Sequence, residues 1–468
     1  MDVIHFDDFQ VTFPPDVEQV LESAYGSLKW ESIKKALAYP PIKTTIRIHT
    51  SQNSQQNALQ TLSTALRALH PQLRAHKHPY FHDIVQIPSL DRESSLKYDD
   101  KKACVIVDRL CGEAVLRGSD IFARGVMCIT AGCSTDVSIN ILVDLDHKSL
   151  RGSELKEHRG RKLFIGVGRT RMSRLEILRA DRGLAVSDIR RVCHNAPPLN
   201  SLESKVFYLQ QFPSALVAHV VHPENGEYIL DMCAAPGGKT THIANLMTKG
   251  FIVAVDRSRQ KVEALRRLVQ ELALEDRILA IHKDSTQLLR SKALQNRPRP
   301  TIEALMEIDK NQFRGFYPES FDKILLDPPC SALGLRPRLL HPRNTKALTQ
   351  FVHLQRNLMW CAVRLLKPNG ILVYSTCTLH PQENENMVAY VLKTYPFMKL
   401  IQPFENDSEM RFGSMGLKGQ ELCDEGIALV QRFDPSVDDT IGFFCAKFRK
   451  SMQMDELELE TSEERILP

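Results

Sequence analysis

Residues 228–247 read YILDMCAAPGGKTTHIANLM: an apolar run ending at Asp231, a turn of small residues, then an amphipathic stretch. That order predicts a strand, a tight turn and a helix in immediate succession. Ala234, Ala235, Gly237 and Gly238 carry little or no side chain, so the backbone can approach a ligand closely at the carboxyl end of the strand. Two phosphate-binding patterns do not fit the turn. GxGxxG is absent, and the position five before Gly238 holds Cys233 where a P-loop needs Gly. Outward from this stretch, the chain after residue 200 alternates strand and helix. Strands are expected at Tyr228–Met232, Phe251–Val255, Ile278–Ile281, Lys323–Leu326 and Gly370–Ser375. Helices are expected at Thr241–Met247, Ser258–Leu272 and Lys346–Leu366. Such alternation predicts an α/β fold, a parallel Rossmann-like sheet with helices on both faces. Arg290–Tyr317, containing RPRP, interrupts it as an expected surface excursion.

The ends of these strands carry the chemistry. FIVAVD ends in Asp256, and the third strand is followed by Asp284 in IHKDST. A carboxylate after a second parallel strand can accept from both ribose hydroxyls, and one after the third from an adenine amino group. Each could equally cap the helix that follows it. Nucleoside recognition without a phosphate cradle points to S-adenosylmethionine. The fourth strand runs FDKILLDPPCSALG (321–334) and the fifth GILVYSTCTLHPQENE (370–385), so each delivers a thiol, Cys330 or Cys377, to the same sheet edge. Cytosine C5 is a poor nucleophile. A thiolate added at C6 turns the ring into an enamine able to attack a sulfonium methyl, so a cysteine beside a methyl donor suits that reaction. Asp327 can bind the base at N3 and N4, and a general base must then take the C5 proton.

Composition narrows the alternatives. The 468 residues, 43% apolar and 25% charged, imply two or three globular units rather than a disordered or fibrous chain. No run approaches 18 apolar residues, and the opening MDVIHFDDFQ lacks the basic and apolar regions of a secretion signal, so a cytoplasmic protein without membrane association is expected. Eleven cysteines without CxxC argue against a disulfide framework and against a zinc site; no metal is expected. Cys104, Cys111, Cys128, Cys133, Cys193, Cys361, Cys423 and Cys445 are expected to be core thiols.

Residues 1–100 read as a mixed α+β region, helical over Val17–Ala38, extended at Thr44–His49 and helical again near Gln56–Leu69. From about residue 101 short β-like runs follow: ACVIVD, GEAVLRG, GVMCIT, VSINILVDL and KLFIGVG. Asn195–Asn200 is a Pro-containing linker, and the final 18 residues, with six acids and one Arg, read as a solvated tail. The net charge of +5 hides one basic stretch, residues 151–191, with twelve Lys or Arg against five acids. Such a density suits phosphate contacts, with GRTRMSR (168–174) the densest part and Arg169, Arg171 and Arg174 the candidates.

DMCAAPGGKT, DPPCS and STCT together resemble the Sun-domain RNA (cytosine-5) methyltransferases. PIKTTIRIHT (41–50), FYLQQFPSALVAH (207–219) and QRFDPSVDDTIGFFCAKF (431–448) extend the likeness over the whole chain. The resemblance implies S-adenosylmethionine as cofactor, Cys377 as the nucleophile at C6, and Cys330 assisting proton removal and release. It further implies that Cys233, Ala234, Ala235, Pro236, Gly237, Gly238, Lys239, Asp256, Asp284 and Asp327 line the cofactor and base site, with Lys239 and Asp327 also catalytic. The family usually has Gly after the Ser of the fourth motif, where Ala332 stands here. Residues 101–194 resemble a PUA domain through AVLRGSDIFARGV (114–126) and LFIGVGRTRMSRLEIL (163–178), with Arg124 where Pro is common. The member of the family that methylates tRNA carries such an insertion. The implied organisation is an N-terminal α+β region (1–100), a PUA RNA-binding domain (101–194), a Rossmann-like catalytic domain (201–450) and an acidic tail (451–468). The implied substrate is a cytidine near the acceptor end of tRNA, with other structured RNA as a further partner. A non-catalytic RNA-binding protein on a methyltransferase scaffold is the alternative. Both thiols, the turn and three Asp residues speak against it. Amino-group methylation needs an aromatic residue where Cys330 stands, and DNA cytosine methylation would have no need of Cys377.

Overall fold

The computed structural model describes residues 3–451 except 50–54, 92–95, 154–159, 195, 198, 200–204, 291–312, 314 and 405–409. The expected acidic tail, most of the excursion over Arg290–Tyr317 and part of the Asn195–Asn200 linker lie outside the described residues. The chain forms two compact units: Met1–Gln211 with Gly334–Arg343 and Pro435–Ile441, and Phe212–Leu333 with Asn344–Asp434 and Gly442–Pro468.

In the first unit, β1 (Val3–Ile4) is followed by α1 (Pro15–Tyr25) and α2 (Ser27–Ala38). The single helical stretch expected over Val17–Ala38 is broken at Gly26, whose φ of 80° no helix accommodates. β2 (Lys43–Ile48), α3 (Gln55–Leu69), β3 (His76–Lys77) and β4 (Ile84–Pro88) come next. The β-rich part then contains β5 (Ala103–Val107), α4 (Arg109–Leu116), β6 (Ile121–Phe122), β7 (Val126–Ile129), β8 (Ser138–Asp144), β9 (Lys162–Thr170), α5 (Arg174–Arg179) and β10 (Leu184–Arg191). Its sheet runs β6-β10-β9-β8-β5-β7, and β1 adds to β9 in parallel. β11 (Phe207–Leu209) closes a separate sheet, β11-β2-β4-β3. GEAVLRG, expected as an extended run, is largely α4. Asp108 caps it by accepting from the Cys111 amide at 2.8 Å, and Arg109 pairs with Glu113 one turn on at 2.7 Å. Arg124 lies in a single 3-10 turn over Ala123–Gly125.

The second unit begins with α6 (Phe212–Val221) and then alternates as expected: β12 (Tyr228–Asp231), α7 (Gly238–Leu246), β13 (Phe251–Asp256), α8 (Arg259–Glu271), β14 (Ile278–His282), β15 (Phe321–Leu326), α9 (Thr345–Leu365) and β16 (Leu366–Thr376). α10 (Glu385–Thr394), β17 (Met398–Ile401), α11 (Asp424–Leu429), β18 (Gln431–Phe433) and β19 (Phe443–Lys450) complete it. The strand order is β14-β13-β12-β15-β16-β19-β17. The first five strands are parallel, β19 is antiparallel to β16, and β18 pairs with β19. Order reverses beside β12, where the crevice at the carboxyl ends of an open parallel sheet forms. Central strands buried on both faces explain their unbroken Val/Ile/Leu runs. α9 buries Leu348, Val352, Leu358, Met359, Ala362 and Leu365 at helical spacing, with one amide, Gln355, fully buried in the same stripe. Among the described residues no helix is long and apolar enough to cross a membrane.

Candidate active site

The turn after β12 is shaped by Gly237, which starts α7 at φ 109° and ψ 3°. A Cβ there would lie 2.4 Å from Leu265 Cδ1, so Gly is required both for backbone conformation and for packing against α8. Asp231 is buried beneath the turn. It accepts from Thr240 Oγ1 at 2.7 Å and from the Cys233 amide at 3.3 Å, tying the strand end to the helix. Burial pushes its carboxyl up to about 7, although the Thr240 hydroxyl pulls the other way.

Asp256, at the end of β13, accepts from the Ser258 amide at 2.8 Å. Asp284 accepts from the amide and hydroxyl of Thr286 at 2.9 and 2.7 Å, capping a 3-10 turn. The capping role considered from sequence is therefore present at Asp284, while Ser258 takes it for α8. In each carboxylate only Oδ1 is engaged by these bonds. One oxygen apiece is left for ligand hydroxyl or amino donors, with Asp256 on the strand beside the glycine turn and Asp284 after the next strand out, and this pair of acceptors fits a nucleoside.

β15 and β16 are parallel neighbours, with Leu326 paired to Tyr374, so the loops that follow them emerge side by side. Asp327 accepts from Lys239 Nζ at 2.7 Å on Oδ2 and from Ser375 Oγ at 2.7 Å on Oδ1. The ammonium of Lys239 also lies 5.5 Å from the Phe443 ring centroid. Burial lowers the proton affinity of Lys239, but the charge and hydrogen bond of Asp327 outweigh it, and the ammonium is held above its ordinary value.

Cys330 and Cys377 come together, Sγ to Sγ at 3.4 Å. Their proton affinities move apart. The hydrogen bond from the Cys330 thiol lowers Cys377 below the ordinary thiol range, despite burial and the Asp327 charge, with the Lys239 charge assisting. Cys330 is raised well above that range, first by the same hydrogen bond and then by burial. When the pair loses one proton, Cys377 is the thiol that gives it up and Cys330 the one that keeps it. The other thiols differ. Burial raises Cys111 and Cys445 to about 12 and Cys361 to about 11, and it lifts Cys233 and Cys133. Cys423, expected in the core, is exposed at the start of α11.

Behind the thiols lies a wall that no motif announced. Glu383, fully buried, accepts from the Ser331 amide at 3.0 Å, from Gln355 Nε2 at 2.8 Å and from the Ser331 hydroxyl. Asn384 accepts from Thr376 Oγ1 at 2.6 Å and donates Nδ2 to the Thr378 carbonyl at 3.0 Å. Glu385 holds Arg432 through two bonds of 2.8 and 2.6 Å. Charged and amide side chains in succession directly after STCT, in HPQENE, were the available signal. Ala332 adopts φ 58°, the left-handed conformation that glycine takes at low cost; the loop keeps that shape with Ala at a cost of about 1 kcal/mol.

The basic stretch belongs to the first unit, and its side chains are put to varied uses. Arg174 donates to the carbonyls of Ile129 and Gly152, and buried Arg191 to those of Val115 and Ser119. Both brace the fold. Arg169 and Arg171 remain about half exposed, paired with Asp136 and Asp188. Arg169 and Arg190 line a cavity of about 800 Å³ together with Asp120 and Ser138.

Residues 218–449 match the family described as 16S rRNA methyltransferase RsmB/F. The chain is 34% identical to the human tRNA (cytosine(72)-C(5))-methyltransferase NSUN6, over 94% of this chain and 98% of that one. It is 30% identical to the tRNA (cytosine(72)-C(5))-methyltransferase of Pyrococcus horikoshii, over 94% and 97%. With the Arabidopsis thaliana rRNA (cytosine-C(5))-methyltransferase NOP2C it shares 32%, over 93% and 90%. The crystal structure of NSun6 from Pyrococcus horikoshii with SFG superposes with a TM-score of 0.73 at 29% identity, covering 94% of this chain and 99% of that one.

Proposed function

The chain belongs to the RsmB/F family of S-adenosylmethionine-dependent RNA (cytosine-5) methyltransferases, and on that premise we propose that it methylates a cytidine near the acceptor end of tRNA. The observation that carries this is end-to-end correspondence with two relatives named for cytosine 72 of tRNA. Residues 101–194 then act as a PUA module that grips the RNA. Residues 201–450 are the catalytic domain, 1–100 an N-terminal region and 451–468 a tail. Eleven cysteines, all free, support a cytoplasmic setting.

The cofactor supplies a sulfonium methyl group when bound. Asp256 and Asp284 accept from its ribose and adenine, and the turn from Cys233 to Gly238 lets the backbone approach it. Asp327, oriented by Lys239 and Ser375, accepts from the cytosine amino group, and the Lys239 ammonium offsets negative charge on the ring. The Cys377 thiolate adds to C6, forming a carbon–sulfur bond and making C5 nucleophilic. That bond consumes the negative charge on Cys377. The hydrogen bond to that thiolate was the first cause holding the proton on Cys330, so once the Cys377 sulfur is bonded to carbon Cys330 releases its proton to solvent and takes the proton from C5. Electrons from the C5–H bond restore the ring double bond and expel Cys377 as thiolate.

Incubation with labelled cofactor and either tRNA transcripts or ribosomal RNA fragments, followed by bisulfite sequencing, tests the assignment. One protected cytidine near the 3′ end is expected, lost on truncating the acceptor stem. Methylation confined to ribosomal RNA fragments overturns it. A companion experiment concerns Arg169 and Arg171. Replacing both by Ala is expected to weaken tRNA binding and reduce the magnitude of the log–log salt slope by roughly 2, leaving cofactor affinity unchanged. An unaltered slope in filter binding removes them from the RNA contact. Arg174 is left out because its guanidinium is spent on backbone carbonyls.

A further inference from the structure

The thiols sit on separate loops. β15 and β16 pair as far as Leu326 and Tyr374, while Cys330 and Cys377 lie four and three residues beyond those positions, where strand pairing has ended. A 3.4 Å contact between thiols on two unpaired loops needs another restraint. Beyond the Asp327–Ser375 bond, it comes from one short turn, Pro381–Glu383, and the residue after it.

Both neighbours of Cys330 are held there. Gln355 Nε2 donates to the Pro329 carbonyl at 3.1 Å and to Glu383 Oε2 at 2.8 Å, and the Ser331 amide donates to that same oxygen at 3.0 Å. Both neighbours of Cys377 are held as well, Thr376 and Thr378 through Asn384. The two grips meet in one contact, Ser331 Oγ to Thr378 Oγ1 at 2.6 Å, with Ser331 Oγ also donating to Glu383 Oε1. Glu383, Ser331, Thr378 and Gln355 are all buried. A carboxylate out of water is costly unless its lone pairs are met, and three donors converge on this one.

We infer that Glu383 is a positioning residue for methyl transfer, its carboxylate binding the Cys330 loop to the Cys377 loop and so setting the separation of the two thiols. This rests on the divided roles assigned to Cys377 and Cys330. It touches neither substrate nor cofactor in that account. An isosteric Gln meets the same requirement. Its carbonyl at the Oε2 position accepts from the Ser331 amide and from Gln355, while its amide donates to Ser331 Oγ, which still reaches Thr378. Ala removes all three bonds that the carboxylate accepts. A proton-transfer role would rank the variants differently, because Gln and Ala are equally unable to accept a proton.

The test compares wild type, Glu383→Gln, Glu383→Ala and Ser331→Ala, the last a milder lesion should the Ala variant of Glu383 fail to fold. Two readouts are taken. The first is geometric and independent of methylation: oxidation by diamide, in which both S–H hydrogens pass to the N=N bond, giving a hydrazine and a Cys330–Cys377 disulfide seen by peptide mass. The second is steady-state methylation of tRNA with kcat and KM for the cofactor resolved. Glu383→Ala is expected to slow both cross-linking and kcat by roughly 10- to 100-fold, with the cofactor KM within about threefold. Ser331→Ala moves both the same way by a smaller factor, and Glu383→Gln stays within about threefold of wild type. Cross-linking at the wild-type rate in folded Glu383→Ala and Ser331→Ala overturns the inference. So does Glu383→Gln falling as far as Glu383→Ala, which would make Glu383 a proton carrier. Should the divided thiol roles themselves be wrong, the methylation readout loses its meaning while the cross-linking rate still reports whether Glu383 sets the geometry.

Discussion

Cys377→Ala eliminates methyl transfer to tRNA, with a loss of roughly 10⁴-fold or more under single-turnover conditions. No neighbouring group replaces it. Lys239 is committed to Asp327, and burial still raises the Cys330 thiol when its Cys377 partner is removed. Without addition at C6, C5 has no enamine electrons to offer the methyl group. Serine is expected to fail equally, because a hydroxyl does not ionise under the influences that act on this thiol. The wild-type pH profile follows from the same environment. Cys377 lies below its usual value through the Cys330 hydrogen bond, so its reactive form is present above that lowered value and is lost as pH falls through it. Activity therefore persists to more acid pH than an unperturbed thiol allows. Methyl transfer by the Cys377→Ala protein, measured with labelled cofactor, would move the nucleophile elsewhere.

Cys330→Ala traps the enzyme on its RNA. Addition by Cys377 does not require Cys330 as a reactant, but removal of the C5 proton does, so the carbon–sulfur bond outlives methyl transfer. A slower band on a denaturing gel, dependent on tRNA, cofactor and Cys377, is the expected result. The structure adds a pH signature. Loss of the Cys330 hydrogen bond returns Cys377 toward its ordinary value, so the adduct forms slowly near neutrality and faster as the medium becomes alkaline. Absence of any adduct across that range would falsify the assignment of Cys330 to proton removal. An adduct whose rate ignores pH would separate that role from the thiol hydrogen bond.

Much of the catalytic unit was legible because a parallel sheet writes itself locally. Buried strands are continuous apolar runs, their helices carry a helical apolar stripe, and the functional residues occupy the loop after each strand. That rule alone placed the candidates Asp256, Asp284, Asp327, Cys330 and Cys377 at the strand ends, where the structure has them. The same rule fails in the β-rich part. GEAVLRG has apolar residues compatible with either period, and only the Asp108 cap and the Arg109–Glu113 pair show that it forms α4. Charge counting misleads in another way. Arg174 and Arg191 add to the basic density of 151–191, yet their guanidiniums are spent on carbonyls inside the fold.

By itself the sequence determined the strand–helix alternation, the glycine turn before α7 and the delivery of two thiols and three carboxylates to one edge of the sheet. Short-range periodicity and backbone conformation suffice for all of these. Only the tertiary structure decided that the thiols touch, which of them keeps the proton, that Ser375 and Lys239 share Asp327, and that Glu383 and Asn384 hold both loops. Those outcomes depend on strand register, on burial that removes competing water, and on partners up to 88 residues apart in the chain, as Lys239 and Asp327 are. A hydrogen bond across that distance leaves no spacing in the sequence to be read.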